Sequence, residues 1–258
     1  MKFTKLIFIL LSSFYSFANV AVVNGLTHIY SGTSGDVISG EIVLVNYSSS
    51  QERVTFELQE AIYSCDMDRR FTTLEKPVSS SSSWVTNNVN EHVLAPKEQY
   101  VLKFSIQIPK DTELQGSFWS VLMVSVEKPI KEEIVNDNIG LGTKIQYAVG
   151  LITHVNSFDE VNIEFEDVLA PDVNNKNLQI KLKNKGRFAE ATELSLEVYN
   201  EQGDKIKEFT SKRLLVFPDL CRDYNLNLSE LPKGKYDCVL IAESRESFTG
   251  TNLQLNID

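Results

Sequence analysis

Between residues 100 and 108 the apolar side chains Tyr100, Leu102, Phe104, Ile106 and Ile108 alternate with Lys103, Ser105 and Gln107. A period of two predicts a β-strand with one face buried and one face wet. Pro109 ends it, because proline has no N–H to donate to a ladder. A polar turn through Gly116 follows, and residues 118–126 (FWSVLMVSV) are then apolar on both faces. That run predicts a central strand covered on both sides. Strand, turn and buried strand together predict an antiparallel sandwich core.

The same period recurs along the chain. Residues 20–23 and 26–30 read as short strands, and glycine turns at Gly32 and Gly35 lead into 37–46. The polar group 46–51 reads as a turn, with Val54, Phe56 and Leu58 alternating beyond it, which predicts a hairpin. From 63 to 93 the pattern fades around the serine run 79–83, and a long loop is expected. The charged stretch 128–138 is expected to loop outward, and Gly140 and Gly142 to mark a turn. Ile145, Tyr147, Val149 and Leu151 alternate through a closing strand that ends near His154. A second set of strands begins near Asp159, covering 161–165, 178–182, 194–198, 213–217, 224–228, 236–242 and 253–257. Asn200 to Gly203 is a reversal between two of them. No helix of normal length is predicted. Two sets of about seven strands, each of sandwich size, predict an all-β chain of two tandem immunoglobulin-like antiparallel β-sandwich domains. The boundaries expected are 19–157 for the first domain and 158–258 for the second, closely packed and with no flexible linker.

Residues 1–18 change the picture of the compartment. Lys2 and Lys5 precede an apolar core too short to span a bilayer comfortably, and Ser16-Phe17-Ala18 offers small residues where a signal peptidase reads. A cleaved signal peptide is expected, with an uncleaved anchor as the alternative. No later stretch is long enough to cross a membrane, so the mature protein is expected in the periplasm or at the cell surface. The net charge is −10, and the acidic excess is spread evenly over the two halves. With no basic patch, a nucleic-acid partner is disfavoured.

Three cysteines, Cys65, Cys221 and Cys238, leave an odd one in a disulfide-permissive compartment. Cys221 and Cys238, close together in the second half, are a candidate pair; the alternative is that both are small buried residues. Tyr236, two residues before Cys238 and just after the Leu231-Pro232 corner, resembles the tyrosine corner of immunoglobulin-like domains.

Catalytic groups are scarce. His28, His92 and His154 stand far apart, none with an acidic or cysteine partner at a ligand spacing, and each reads as structural. No Gly-x-Ser-x-Gly elbow or phosphate loop is present. No catalytic, metal or cofactor site is expected, and no cofactor. Among the aromatics, Trp84 beside the serine run and Trp119 in the buried strand are the candidates for a sugar-binding platform. For Trp119 the favoured reading is core or interdomain packing.

With the strands placed, the first half resembles the immunoglobulin-like domains of bacterial envelope proteins. It is similar to periplasmic pilus-chaperone-like proteins and to surface proteins that interact with WxL-domain proteins. The residues that carry this are 40–46 before a polar turn, Leu94-Ala95-Pro96-Lys97-Glu98, Ile108-Pro109-Lys110-Asp111 followed by Gly116, and Tyr147-Ala148-Val149. The resemblance implies a protein partner, such as a fimbrial subunit, whose terminal carboxylate an arginine and a lysine would hold in the interdomain cleft. His28 stands near where the early-strand arginine would be expected. The leading expectation is therefore a non-enzymatic exported protein that binds another exported or surface protein by strand addition at a sheet edge. A carbohydrate-binding or structural surface module is the alternative.

Overall fold

The computed structural model describes residues 19–65, 69–127, 144–171 and 176–257. The leader 1–18, the charged stretch 128–138 and the Gly140–Gly142 turn lie outside these residues.

The first domain is a two-sheet sandwich. One sheet has the order β1 (Val20–Val22), β3 (Val37–Asn46), β8 (Gln99–Gln107), β6 (Val85–Asn87). The facing sheet runs β2 (Thr27–Gly32), β10 (Ile145–Val155), β9 (Gly116–Glu127), β4 (Glu52–Tyr63), β5 (Arg69–Thr72), with β7 (Glu91–Leu94) also paired to β4. Alternation decides the packing. Ile42 and Leu44 of β3, Leu102, Phe104 and Ile106 of β8, and Val54 and Phe56 of β4 all point into one core. Burying each large side chain contributes about 1.5–3 kcal/mol, which is why one strand register is enforced along each face. β9 is buried over nearly its whole length. One of its faces serves this core through Leu122, Val124 and Val126. The other, through Trp119, Val121 and Met123, forms a separate apolar cluster with residues of the second domain.

The second domain repeats the architecture. One sheet has the order β11 (Ile163–Leu169), β12 (Asn177–Asn184), β16 (Cys221–Asn227). The other runs β14 (Lys205–Thr210), β13 (Glu190–Tyr199), β17 (Gly234–Ser244), β18 (Ser247–Ile257), with β15 (Leu214–Val216) also on β13. Leu178, Ile180, Leu182, Leu194, Leu196 and Leu240 fill the core between them. At the corner before β17, the Tyr236 hydroxyl donates to the Pro232 carbonyl at 3.0 Å.

Three expectations are corrected here. Residues 46–51 do not close a hairpin: β3 pairs with β1 and β8, while β4 pairs with β9, so this turn carries the chain from one sheet to the other. Asn46, fully buried, holds that corner by donating to Ser50 O at 2.8 Å and Ala95 O at 2.9 Å. The serine run is not a solvated loop. Trp119 N donates to Ser79 O and Ser81 N to Trp119 O, so the segment lies along β9 like an added strand. Its hydroxyls donate to one oxygen of the buried Glu60 carboxylate, Ser80 Oγ at 2.9 Å and Ser82 Oγ at 2.5 Å from Oε1. The third is an omission: β14 was not expected, because Lys205, Lys207 and Glu208 mask its alternation. It is an edge strand, where charge discourages pairing with another chain.

Candidate interaction site

The open edge of the first domain lies on β10. This strand pairs with β9 along its whole length, from Ile145 opposite Val126 to Val155 opposite Gly116. On its other side β2 runs parallel and covers only Gly150 to Val155. Residues 145–149 therefore have no strand on their outer edge among the described residues. Gly150 N donates outward to Leu26 O, and residues two apart in a strand point their backbone groups the same way. The N–H and C=O of Gln146 and Ala148 accordingly face the open side.

The edge is built to stay flat and rigid. Val149 is fully buried, and Ile145 and Tyr147 pack against the first core. The Tyr147 hydroxyl donates to Val20 O at 2.5 Å, and burial raises its pKa. Residues 145–149 carry no charge. The flanking chain exposes Val23, Leu26 and Ile29, each close to half. An uncharged edge beside exposed apolar side chains is a receptive surface for an extended peptide.

The second feature is the contact between the domains. A cleft of about 540 Å³ lies between them, lined by Tyr63, Val78 and Trp119 on one side and Lys185, Arg187 and Leu220 on the other. Behind it, Trp119 and Tyr63 pack on Phe217, with ring centroids 4.8 and 5.2 Å away. Ser117 stitches the backbone of both domains. Its N–H donates to Arg187 O at 2.8 Å, and its hydroxyl accepts from Ala189 N at 2.7 Å. That hydroxyl sits 2.7 Å from His154 Nδ1. Burial, and then the Arg245 charge, lower the His154 pKa. Arg245 pairs with the buried Glu190 at 2.6 Å and lies over the Phe158 ring, which packs on Phe188 at 4.6 Å. Gly116 is needed at this seam: its φ is +128°, and a Cβ there would lie 2.7 Å from Arg187 O.

The structure redistributes the residues singled out in the sequence. Cys221 and Cys238 do not pair. Cys221 bonds to Cys65, 156 residues away, and joins the two domains. Cys238 is a free thiol buried in the second core, and burial pushes its pKa up to about 11. The physical reason lies in the alternation of β17, which turns Cys238 into the core, whereas Cys221 opens β16 at the domain seam. Trp84 is buried too, its ring 4.8 Å from Phe118. Trp119 is buried, and its indole N–H donates to Ala61 O at 3.0 Å. Neither tryptophan offers a free face to a sugar. His28 lies 3.2 Å from Gly25 O, and His92 stacks on Tyr100 and pairs with Glu98 at 3.1 Å. The cations of the cleft come from the second domain, and both are paired, Lys185 with Glu164 at 2.5 Å and Arg187 with Asp159 at 2.6 Å. Sequence reasoning missed Ser117, Phe158, Phe188, Phe217 and Arg245. Phe158, Phe188 and Arg245 sit in turns outside any periodic run, and Ser117 and Phe217 sit at strand ends, where alternation does not show which partner they meet.

No protein-family model and no curated protein matches the sequence. Solved structures match its shape. The class 5 fimbriae chaperone CfaA aligns over 92% of this chain and 99% of its own, with a TM-score of 0.50 and 10% identity. The fold is that of a two-domain pilus chaperone. The SafB chaperone of Salmonella enterica, solved with the SafA pilin, aligns over 94% of this chain and 98% of its own, with a TM-score of 0.47 and 12% identity. The YadV chaperone covers 92% of this chain and 100% of its own, at 0.46 and 11%. Among the described residues, no helix is long and apolar enough to cross a membrane.

Proposed function

We propose that this chain is a non-enzymatic, exported binding protein of the bacterial envelope, working in the periplasm. It takes an extended segment of a fimbrial-type subunit as an added strand on the outer edge of β10. The boundary we assign, 19–157 and 158–258, places that edge wholly in the first domain. The observation that carries the reading is that β2 covers β10 only from Gly150 onward, which leaves the uncharged residues 145–149 without a strand on their outer edge among the described residues. Main-chain hydrogen bonds then supply affinity, and the alternating side chains of the guest supply specificity.

Ala148→Pro tests it. Proline removes an outward-facing N–H and leaves the ladder to β9 in place. The wild-type protein, crosslinked in cells and purified by a tag, is expected to carry one small, strand-rich exported subunit. Ala148→Pro is expected to recover at least about fivefold less of it, one lost backbone hydrogen bond with its desolvation being worth about 1–3 kcal/mol. Equal recovery by a folded Ala148→Pro protein would refute the edge as the site.

A further inference from the structure

The Cys65–Cys221 bridge differs in placement from a disulfide that braces a sandwich. Neither sulfur belongs to either core; the bond runs from the end of the β4 segment in the first domain to the first residue of β16 in the second. Both cysteines are partly exposed, whereas Cys238 is buried. A shallow pocket beside Cys221 is lined by Tyr63, Ser64, Arg69, Phe217 and Arg222. Arg69 and Arg222 line that pocket together with Cys221, so two guanidinium groups share it with the sulfur. Guanidinium groups next to a cysteine stabilise its thiolate, and a stabilised thiolate leaves more readily in thiol–disulfide exchange.

We propose that Cys65–Cys221 is an exchange-reactive clamp on the interdomain cleft, opened by an anionic thiol reductant. The thiolate of the reductant attacks the Cys65 sulfur and forms a mixed disulfide, and the S–S electron pair leaves on Cys221 as a thiolate beside the two arginines. A second reductant thiolate then displaces Cys65. Two protein thiols and one oxidised reductant disulfide result, the cysteines taking up two electrons and two protons. The cleft runs from Tyr63 and Leu220, at the bridge, to Gln115 and Arg187, at the other end. At that far end the domains are held without covalent help, by the Ser117–Arg187 and Ser117–Ala189 hydrogen bonds and by the one Gln115 Nε2 donates to Asp159 Oδ1. Opening the clamp leaves the bridge end held by the Tyr63–Phe217 stack without a covalent tie, and the other end as the pivot, with both cores intact. The clamp does not depend on what binds at β10.

The test uses the oxidised mature protein in glutathione redox buffers without denaturant. Samples are quenched by alkylation, weighed intact, and measured by small-angle scattering and far-ultraviolet circular dichroism. Two thiols are expected to appear together while Cys238 stays unmodified and the strand signal is unchanged, with the radius of gyration increasing. Arg222→Ala and Arg69→Ala combined are expected to shift the exchange equilibrium about tenfold toward the disulfide, through the leaving thiolate. Cys65→Ser/Cys221→Ser is expected to scatter like the reduced protein. A bridge that yields only in denaturant, or that opens with an unchanged scattering curve, overturns the proposal. If the double serine variant does not fold, the wild-type titration still decides.

Discussion

His154 carries the sharpest consequence of a single buried residue. Its ring lies 2.7 Å from the Ser117 hydroxyl, and burial, then the Arg245 charge, lower its pKa. The other charged groups packed around this seam are Glu190, which neutralises Arg245, and Asp159, which pairs with Arg187. A histidine whose folded pKa is depressed binds fewer protons folded than unfolded. Stability is then unaffected above the ordinary value of about 6.5, falls as pH drops through it, and levels off below the lowered folded value. Asparagine at 154 keeps an acceptor near the Nδ1 position and cannot titrate. Urea unfolding at pH 7.5 and 5.0 is expected to show a larger loss of stability for the wild type than for His154→Asn. Equal losses would remove His154 as the cause. The carboxylates with lowered pKa, such as Glu98 and Glu197, add their own loss only at lower pH, as they protonate.

Among the elements, the strands that could be read were those whose faces differ. β8 alternates, β10 alternates only before Leu151, and β9 is buried nearly throughout because both of its faces are covered. The 79–84 segment gave no such pattern. Its order comes from backbone pairing with Trp119 and from hydroxyls donating to Glu60, partners some 20 to 40 residues away. No local propensity encodes an arrangement of that kind. Glu60 anchors the segment, so Glu60→Ala is expected to leave the buried Ser80 hydroxyl and the half-buried Ser82 hydroxyl without this acceptor, at a cost of about 1–3 kcal/mol. Limited proteolysis is expected to gain a cut within 79–84. A variant as stable and as protease-resistant as wild type would show that backbone pairing alone holds the segment. The outer half of β10 is similar: its alternation announced a strand, but only the point where β2 stops shows that, among the described residues, no strand covers its edge there.

For the whole molecule, the two sandwiches are coupled by aromatic packing around Trp119 and Phe217 and by the bridge from Cys65 to Cys221. Oxidised wild-type protein is expected to unfold in one calorimetric transition. Trp119→Ala removes a buried ring at the seam, a change that costs about 3–5 kcal/mol, and is expected to split that transition in two as the domains uncouple. A single transition, merely lowered, would mean that the remaining contacts and the disulfide suffice for coupling. The amino-acid sequence by itself determined the all-β class, the two sets of strands and the corner at Tyr236, because period-two burial and turn chemistry act over neighbouring residues. The tertiary structure alone decided which cysteines meet, that both tryptophans are covered, and where a sheet edge lies open. Those depend on groups far apart in the chain, brought together when the faces of four sheets pack and the two domains close on one another.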